Sequence, residues 1–216
     1  MADDRNTARR SAQFDALAVR ALDIVTALGL LIFLAPLMLI VAALVYLVDP
    51  GPIFFAHRRL GRDGRTFPCL KFRSMVVDAE QRLSHLLATD AAARDEWARD
   101  FKLRRDPRIT RIGNFLRRTS IDELPQFINV LRGEMSIVGP RPIVEGEIPR
   151  YGRYFAEYSS VKPGITGLWQ VSGRNNIHYR RRVALDVSYA RNRNLGLDLR
   201  ILAMTVPAVL LARGSF

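Results

Sequence analysis

The sequence predicts an α+β fold, mainly helical. A re-entrant N-terminal membrane helix precedes a compact cytoplasmic domain with short strands and interfacial amphipathic helices. Three observations lead there. Residues Ile24–Val48 run for 25 positions without a charge. Cations flank that run on both sides. Beyond it, apolar stretches are short and separated by Gly- and Pro-marked turns, as in a small globular domain. A length of 216 residues fits one domain with an appendage, here 1–48 and 49–216.

The first element is the apolar run. As a helix it spans about 37 Å, against about 30 Å for a bilayer core. It is too long for a signal peptide, and no small-residue cleavage site follows. Pro36, near its middle, has no amide hydrogen for the helical ladder. Arg5, Arg9, Arg10 and Arg20 precede the run; Arg58, Arg59, Arg62, Arg65, Lys71 and Arg73 follow it. Lys and Arg mark cytoplasmic flanks, so both ends read as cytoplasmic. A helix broken at Ala35-Pro36 that dips in and returns satisfies both. A spanning helix with a proline kink is the alternative, of equal weight on pattern alone.

The later elements follow in order. Pro52–Gly61 and Thr66–Met75 read as two strands joined by the turn Arg62–Arg65. Residues 76–99 read as one polar helix, and Asp106-Pro107 as a loop. Ile109–Arg118 and Ile121–Leu131 read as helices, the second ending near Gly133. Ser136–Pro142 is a strand or extended turn, and Gly164–Gly173 a tight turn between packed elements. Tyr179–Asn192 is a helix with Val183, Val187 and Ala190 on one face. Leu199–Ala212 carries Arg200 and Pro207 and is too short to span, so it reads as an amphipathic helix lying on the membrane surface or, more plainly, as a core helix.

Charge and cysteine usage narrow the function classes. The 33 Lys and Arg against 21 Asp and Glu give +12, all of it on residues 49–216. All the cations except Lys71, Lys102 and Lys162 are arginines, whose planar fork grips phosphate at two points. A basic domain beside a membrane is also drawn to anionic headgroups. The single cysteine, Cys69, excludes a disulfide framework and a cysteine-based zinc site; it reads as a small buried residue. A Walker loop, GxGxxG, HExxH and GxSxG are all missing, and His57, His85 and His178 lie far apart. Ser or Cys nucleophilic chemistry and catalytic zinc are poor fits.

What stands out is Arg117-Arg118-Thr119-Ser120-Ile121-Asp122-Glu123-Leu124-Pro125. The structural reading is a capping box, with Ser120 capping a helix and Glu123 reaching back to it. The chemical reading uses the same place differently. Adjacent acids beside Arg117 and Arg118 suit bound phosphate, with one carboxylate attacking phosphorus and its neighbour holding Mg²⁺.

Five segments together resemble the bacterial sugar transferases, the monotopic polyprenyl-phosphate hexose-1-phosphate transferases. They are the apolar helix around Pro36, LKFRSM (Leu70–Met75), DPRITRIGNFLRRTSIDELPQFINVLRGEMSIVGPRP (Asp106–Pro142), VKPGITGLWQVSGRN (Val161–Asn175) and VALDVSYARN (Val183–Asn192). The resemblance implies an enzyme at the cytoplasmic face of the bacterial inner membrane, with residues 49–216 as its catalytic domain. It would transfer a sugar-1-phosphate from a UDP-sugar to undecaprenyl phosphate, releasing UMP and initiating exopolysaccharide or another surface glycan. It also implies roles: Asp122 as nucleophile forming an acyl phosphate, and Glu123 as the Mg²⁺ ligand. Lys71, Arg117, Arg141 and Asp186 would contact substrate phosphate or nucleotide, Arg141 within the Pro140-Arg141-Pro142 motif. Pro36 would break the membrane helix. Partners are then the UDP-sugar, undecaprenyl phosphate and membrane lipids, not nucleic acid; a homodimer stays open.

One departure is Ala35, where many members carry Ser; that removes a hydroxyl able to re-satisfy backbone groups freed by Pro36. The resemblance is to the minimal form, without the large N-terminal membrane region of longer relatives. The tail from Asn175 to Leu202 looks more like enzymes using UDP-glucose or UDP-galactose than amino sugars. Trp169, Tyr151, Tyr154, Phe155 and Tyr158 read as core or interface anchors ahead of base-stacking groups. Arg180–Arg182 read as a solvated or headgroup-facing run, and Lys162 and Arg174 as candidate phosphate contacts. The rival class is a membrane-tethered nucleic-acid-binding or scaffolding protein. It lacks a recognition motif, and its cations are interspersed with acids.

Overall fold

A computed structural model describes residues 2–100, 103, 105–173 and 178–210. The chain opens with helix α1 (Ala2–Val48), followed by β1 (Phe54–Leu60) and β2 (Thr66–Phe72). Next come α2 (Ala79–Thr89), α3 (Ala91–Asp100), α4 (Arg111–Thr119) and α5 (Gln126–Arg132). Strand β3 (Ser136–Val138) leads to α6 (Ile148–Tyr151), α7 (Phe155–Ser159) and β4 (Gly164–Thr166). Helices α8 (Leu168–Val171), α9 (Tyr179–Asn192) and α10 (Leu195–Leu210) complete it.

The two sheets are small. β1 and β2 form the expected antiparallel hairpin, in register from Phe54↔Phe72 to Leu60↔Thr66. β3 and β4 pair in parallel, Ser136 with Gly164 and Val138 with Thr166. The segment Gly164–Gly173 is therefore a strand and a short helix, not the tight turn expected. Gly164 is there because its backbone presses on that of Gly139, and a Cβ would collide with the Gly139 amide.

Helix α1 differs from expectation in one respect: it continues through Pro36 without interruption. Proline removes one amide and bends a helix without unwinding it, provided both halves keep helical dihedrals. One face packs along the domain over most of its length. Val19, Asp23 and Ala27 are buried, then Val41 and Val45. Leu30, Leu31 and Leu34 back a core formed by Phe127, Val130, Ile137 and Ile201. Val41 and Val45 close a second cluster with Phe72 and Leu116. Two charged side chains fix the register. Arg20 donates to the carbonyls of Val130 (2.7 Å) and Leu131 (3.0 Å) at the end of α5, where orphan carbonyls gather. Asp23 accepts from Ser136 Oγ and the Ile137 amide, both at 2.8 Å. The outward face of α1 is the opposite: Leu17, Val25, Ile32, Phe33, Leu39 and Leu47 are all exposed. An aliphatic surface that long is unfavourable in water and matches a bilayer.

The remaining elements hold two further corrections. The polar helix expected over 76–99 is two helices, split where Asp90 Oδ1 accepts the Ala93 amide at 3.0 Å and caps α3. The C-terminal helix lies half in the core: Asp198 and Ile201 are buried while Leu199, Met204 and Val206 are exposed.

Candidate active site

The site is assembled from the hairpin, the turn after α4 and the segment after β3. In an antiparallel pair, directly opposed residues share a face. Register therefore puts Lys71, Cys69 and Phe67 on the same face as Phe55, His57 and Arg59. The outer edge of β2 is pinned by Asn129 of α5, which is fully buried. Its Oδ1 accepts the Leu70 amide (2.9 Å), and its Nδ2 donates to the Pro68 carbonyl (2.8 Å) and Glu134 Oε2 (2.6 Å). Lys71 is thus held from both sides.

The Asp-Glu pair does not open a helix as expected. Ser120 takes a left-handed conformation (φ 59°) and ends α4, its amide bonding the Leu116 and Arg117 carbonyls. Its side chain caps nothing, and residues Ile121–Glu123 form a single 3₁₀ turn before Pro125 leads into α5. The capping-box reading of Ser120 and Glu123 is therefore wrong. Ser120 is spent on stopping one helix, and Pro125, without an amide, sets the start of the next. The cap in this region is Thr110, whose Oγ1 accepts the Gly113 amide at 2.8 Å.

Released from capping, Glu123 reaches Lys71, with Oε1 at 2.6 Å from Nζ. Burial pushes the Glu123 carboxyl up, but Lys71, Arg141 and Arg59 outweigh it and hold it below the usual range. Asp122 behaves oppositely. It is 6% exposed, and burial raises its carboxyl to about 6, with Glu123 adding to the rise and Lys71 and Arg117 opposing it. Two neighbouring acids are thus driven apart in acidity by their surroundings, the pattern of a pair with divided roles. Arg117 is steadied by Ser74, its Nε donating to Oγ at 2.8 Å.

A shallow cleft opens beside the pair, walled by Arg59, Lys71, Glu123, Gln126, Arg141 and Gln170 among others. Asp122 is adjacent to it and not part of its wall. Three of the residues singled out by sequence (Lys71, Glu123, Arg141) meet here. Asp186 does not reach the cleft. It is buried at the far side of Tyr151, whose hydroxyl donates to Asp186 Oδ2 at 2.8 Å. Burial lifts Asp186 to about 7. The Tyr151 ring lies 4.6 Å from that of Tyr158, and Tyr158 donates to the Arg141 carbonyl at 2.9 Å. Asp186 thus supports the Pro140–Pro142 segment from behind. Tyr151, Tyr158 and Trp169 are buried, as a core reading requires.

Other expectations move. Lys162 sits with Arg20 against Gly133, at the junction of α1 and α5, away from the cleft. Arg182 is no solvated charge: its guanidinium stacks over Trp169 (4.7 Å) and Tyr179 (5.2 Å). Arg174 lies outside the described residues. Cys69 is buried, and burial pushes its thiol up to about 11, so it is inert as a nucleophile. Sequence reasoning missed Arg59, Gln126 and Gln170 as cleft residues. For Arg59 a signal existed, because alternation together with the register that the short turn sets places it on the Lys71 face.

The family described as bacterial sugar transferase matches residues 14–212. A UDP-galactose-lipid carrier transferase of Erwinia amylovora is 50% identical over 98% of the chain, which covers 43% of that relative. An undecaprenyl-phosphate galactose phosphotransferase of Salmonella typhimurium is also 50% identical over 98% of the chain, covering 44% of it. The exopolysaccharide production protein ExoY of Sinorhizobium fredii is 49% identical over 91% of the chain and 87% of its own length. The chain therefore spans under half of the first two relatives and most of the third.

Proposed function

The chain belongs to the bacterial sugar transferase family, and on that premise we propose that it transfers a sugar-1-phosphate from a UDP-sugar to undecaprenyl phosphate. UMP is the other product, and the lipid-linked sugar starts an exopolysaccharide or another surface glycan. The donor is UDP-glucose or UDP-galactose. The observation that carries this reading is the split pair: a buried, raised Asp122 beside a Glu123 held ionised by Lys71.

In this reading Asp122, once ionised, attacks the β-phosphorus of the donor. The bond from that phosphorus to the bridging oxygen breaks, and UMP leaves with the electron pair. An acyl phosphate on Asp122 holds the sugar-phosphate. A phosphate oxygen of undecaprenyl phosphate then attacks the same phosphorus and expels the Asp122 carboxylate. Lys71, Arg117 and Arg141 offset the charge of the phosphates, and Asp186 keeps Arg141 in place through Tyr151 and Tyr158. Serial use of one carboxylate lets UMP depart before the second anion arrives.

Mg²⁺ belongs to the proposal. Among the described residues no three His, Cys, Asp or Glu side chains form a metal cage. A single carboxylate, Glu123, suits an ion held largely by substrate phosphate oxygens and water, which is how Mg²⁺ binds in phosphoryl-transfer sites. Bound there, the ion would neutralise diphosphate charge. Glu123→Gln is expected to lower turnover at least about tenfold and to raise the Mg²⁺ concentration giving half-maximal rate. Excess EDTA should stop the unmodified protein; full UMP release in its presence would remove the metal from the scheme. The proposal as a whole is tested by UMP release from UDP-glucose and UDP-galactose with and without undecaprenyl phosphate.

The re-entrant, cytoplasmic-face topology is likewise proposed. Packing of one face of α1 along the same domain from Val19 through Leu34 to Val45 supports both ends lying on one side, with the helix unbroken at Pro36. A helix crossing the bilayer from face to face cannot carry one polar-surfaced domain at both ends. Cysteines introduced near residues 5 and 60 should label from the same side of the membrane. Labelling from opposite sides would refute re-entrance.

A further inference from the structure

The cleft face of the hairpin changes character along its length. β1 contributes Phe55, His57 and Arg59 in alternation, opposed by Lys71, Cys69 and Phe67. Arg59 and Lys71, on the two outer rungs of this face, join Arg141 and Glu123 in the cleft wall. With Glu147 3.9 Å from Arg59 and Glu123 2.6 Å from Lys71, the wall stays net positive, as a bound phosphate requires. Phe55, directly across from Lys71, is 53% exposed, its ring meeting His57 edge-on at 5.9 Å. Behind it, Phe54 stacks on Phe72 at 5.2 Å, and Phe72 is buried against Val41 and Val45 of the membrane helix. An exposed aromatic ring, backed by the apolar helix, thus lies directly across the hairpin from the lysine that holds Glu123. His57 is one rung along on the same face, opposite Cys69, and the scheme above leaves it idle. Arg59 Nη2 stands 3.3 Å from His57 Nδ1. A guanidinium can only donate, so Nδ1 accepts and the ring proton sits on Nε2. Burial, then Arg59 and Lys71, lower its pKa below the usual imidazole range, in keeping with a neutral ring.

We propose that this face seats the lipid acceptor: the first isoprene units lie on Phe55, and the phosphate is received by His57 Nε2–H and Lys71 Nζ. The occupant is an isoprenoid phosphate monoester. A nucleotide-sugar has no apolar tail for Phe55, and a phosphodiester headgroup offers two free phosphate oxygens where a monoester offers three. The seat rests on the transferase reading above, and it adds two residues which that reading does not require.

The test separates the two half-reactions on the full chain in lipid nanodiscs. Donor labelled in its β-phosphate loads the protein; undecaprenyl phosphate or geranyl phosphate then discharges it. Phe55→Ser is expected to raise the KM for undecaprenyl phosphate about tenfold, the factor set by losing about 1.4 kcal/mol of apolar contact. The KM for geranyl phosphate should rise less, and loading by donor should stay within about twofold. His57→Leu should slow discharge about tenfold with loading intact, and His57→Gln, which keeps an N–H, should recover most of it. An unchanged acceptor KM in both Phe55→Ser and His57→Leu, or an equal rise in donor KM, overturns the seat. Competition by phosphatidylglycerol as strong as that of prenyl phosphate overturns its specificity. Failure of the unmodified protein to load, or to be discharged by any prenyl phosphate, overturns the transferase reading itself and the seat with it.

Discussion

Asp122→Asn is expected to abolish both UMP release and labelling of the protein by donor, with turnover down about a thousandfold or more, as when other nucleophiles are removed. Asn has nearly the shape of Asp and fits the same 3₁₀ turn, so the loss would report chemistry. Stability sharpens the point. The folded-state value of Asp122, about 6, lies above its ordinary 3.8 because burial disfavours the ionised form. An acid raised on folding costs stability as pH rises from the unfolded value through the folded one. That cost is complete at neutral pH and amounts to at most about 3 kcal/mol. Asp122→Asn should therefore melt no lower than the unmodified protein at pH 7.5, and its advantage should vanish near pH 4. The same raised value sets the acid limb of the rate: loading by donor should rise with pH through about 6 and then level. Normal turnover in Asp122→Asn, or kinetics requiring both substrates bound before UMP appears, would exclude the covalent route.

The second large effect concerns folding. Gly113, in the first turn of α4, lies against the Ser74 backbone so closely that any Cβ would overlap the Ser74 carbonyl. That contact is stitched on every side. The Thr110 amide donates to Ser74 O (3.2 Å), the Val76 amide to Arg108 O (2.9 Å), and Arg117 to Ser74 Oγ (2.8 Å). Gly113→Val drives two methyl groups into a fixed backbone and must part α4 from the end of β2. A loss of about 4 kcal/mol or more is expected, lowering Tm by about 10 °C or more in detergent. Lys71 and Arg117 sit on opposite sides of that seam, so surviving protein should load donor poorly. Gly146→Ala is the control: nothing lies within 4 Å of its would-be Cβ, and it should melt within about 2 °C of the unmodified protein. Comparable melting of the two variants would show that the α4–β2 seam yields easily.

Much of this architecture was legible because it is local. The hairpin's residues alternate and its turn is marked by Asp63-Gly64; α9 begins and ends where its apolar spacing said it would. The site pair stood out through its neighbours in sequence. What failed did so for specific reasons. A Ser-x-x-Glu spacing is the same whether Ser120 starts a helix or stops the previous one, and only its positive φ distinguishes the cases. Asp90 carried a capping signal that an Ala- and Arg-rich stretch obscured. Arg20 and Asp23 looked like flanking charges because their partners are more than 100 positions away. Asp186 matched a pattern, but whether a carboxylate faces a cleft or props it from behind is decided by tertiary packing.

That last separation has a consequence for biogenesis. Arg20 and Asp23 are translated before their partners: the Val130 carbonyl and the Ser136 hydroxyl that satisfy them lie 110 and 113 positions later. At about 5–20 residues per second, that is an interval of roughly 5–20 s. During it the nascent helix partitions into lipid with both charges answered only by water and headgroups, so they resist being drawn to the bilayer centre. The pair thus acts as a float on the young chain, holding this end of the helix shallow until the rest of the protein arrives to dock against it.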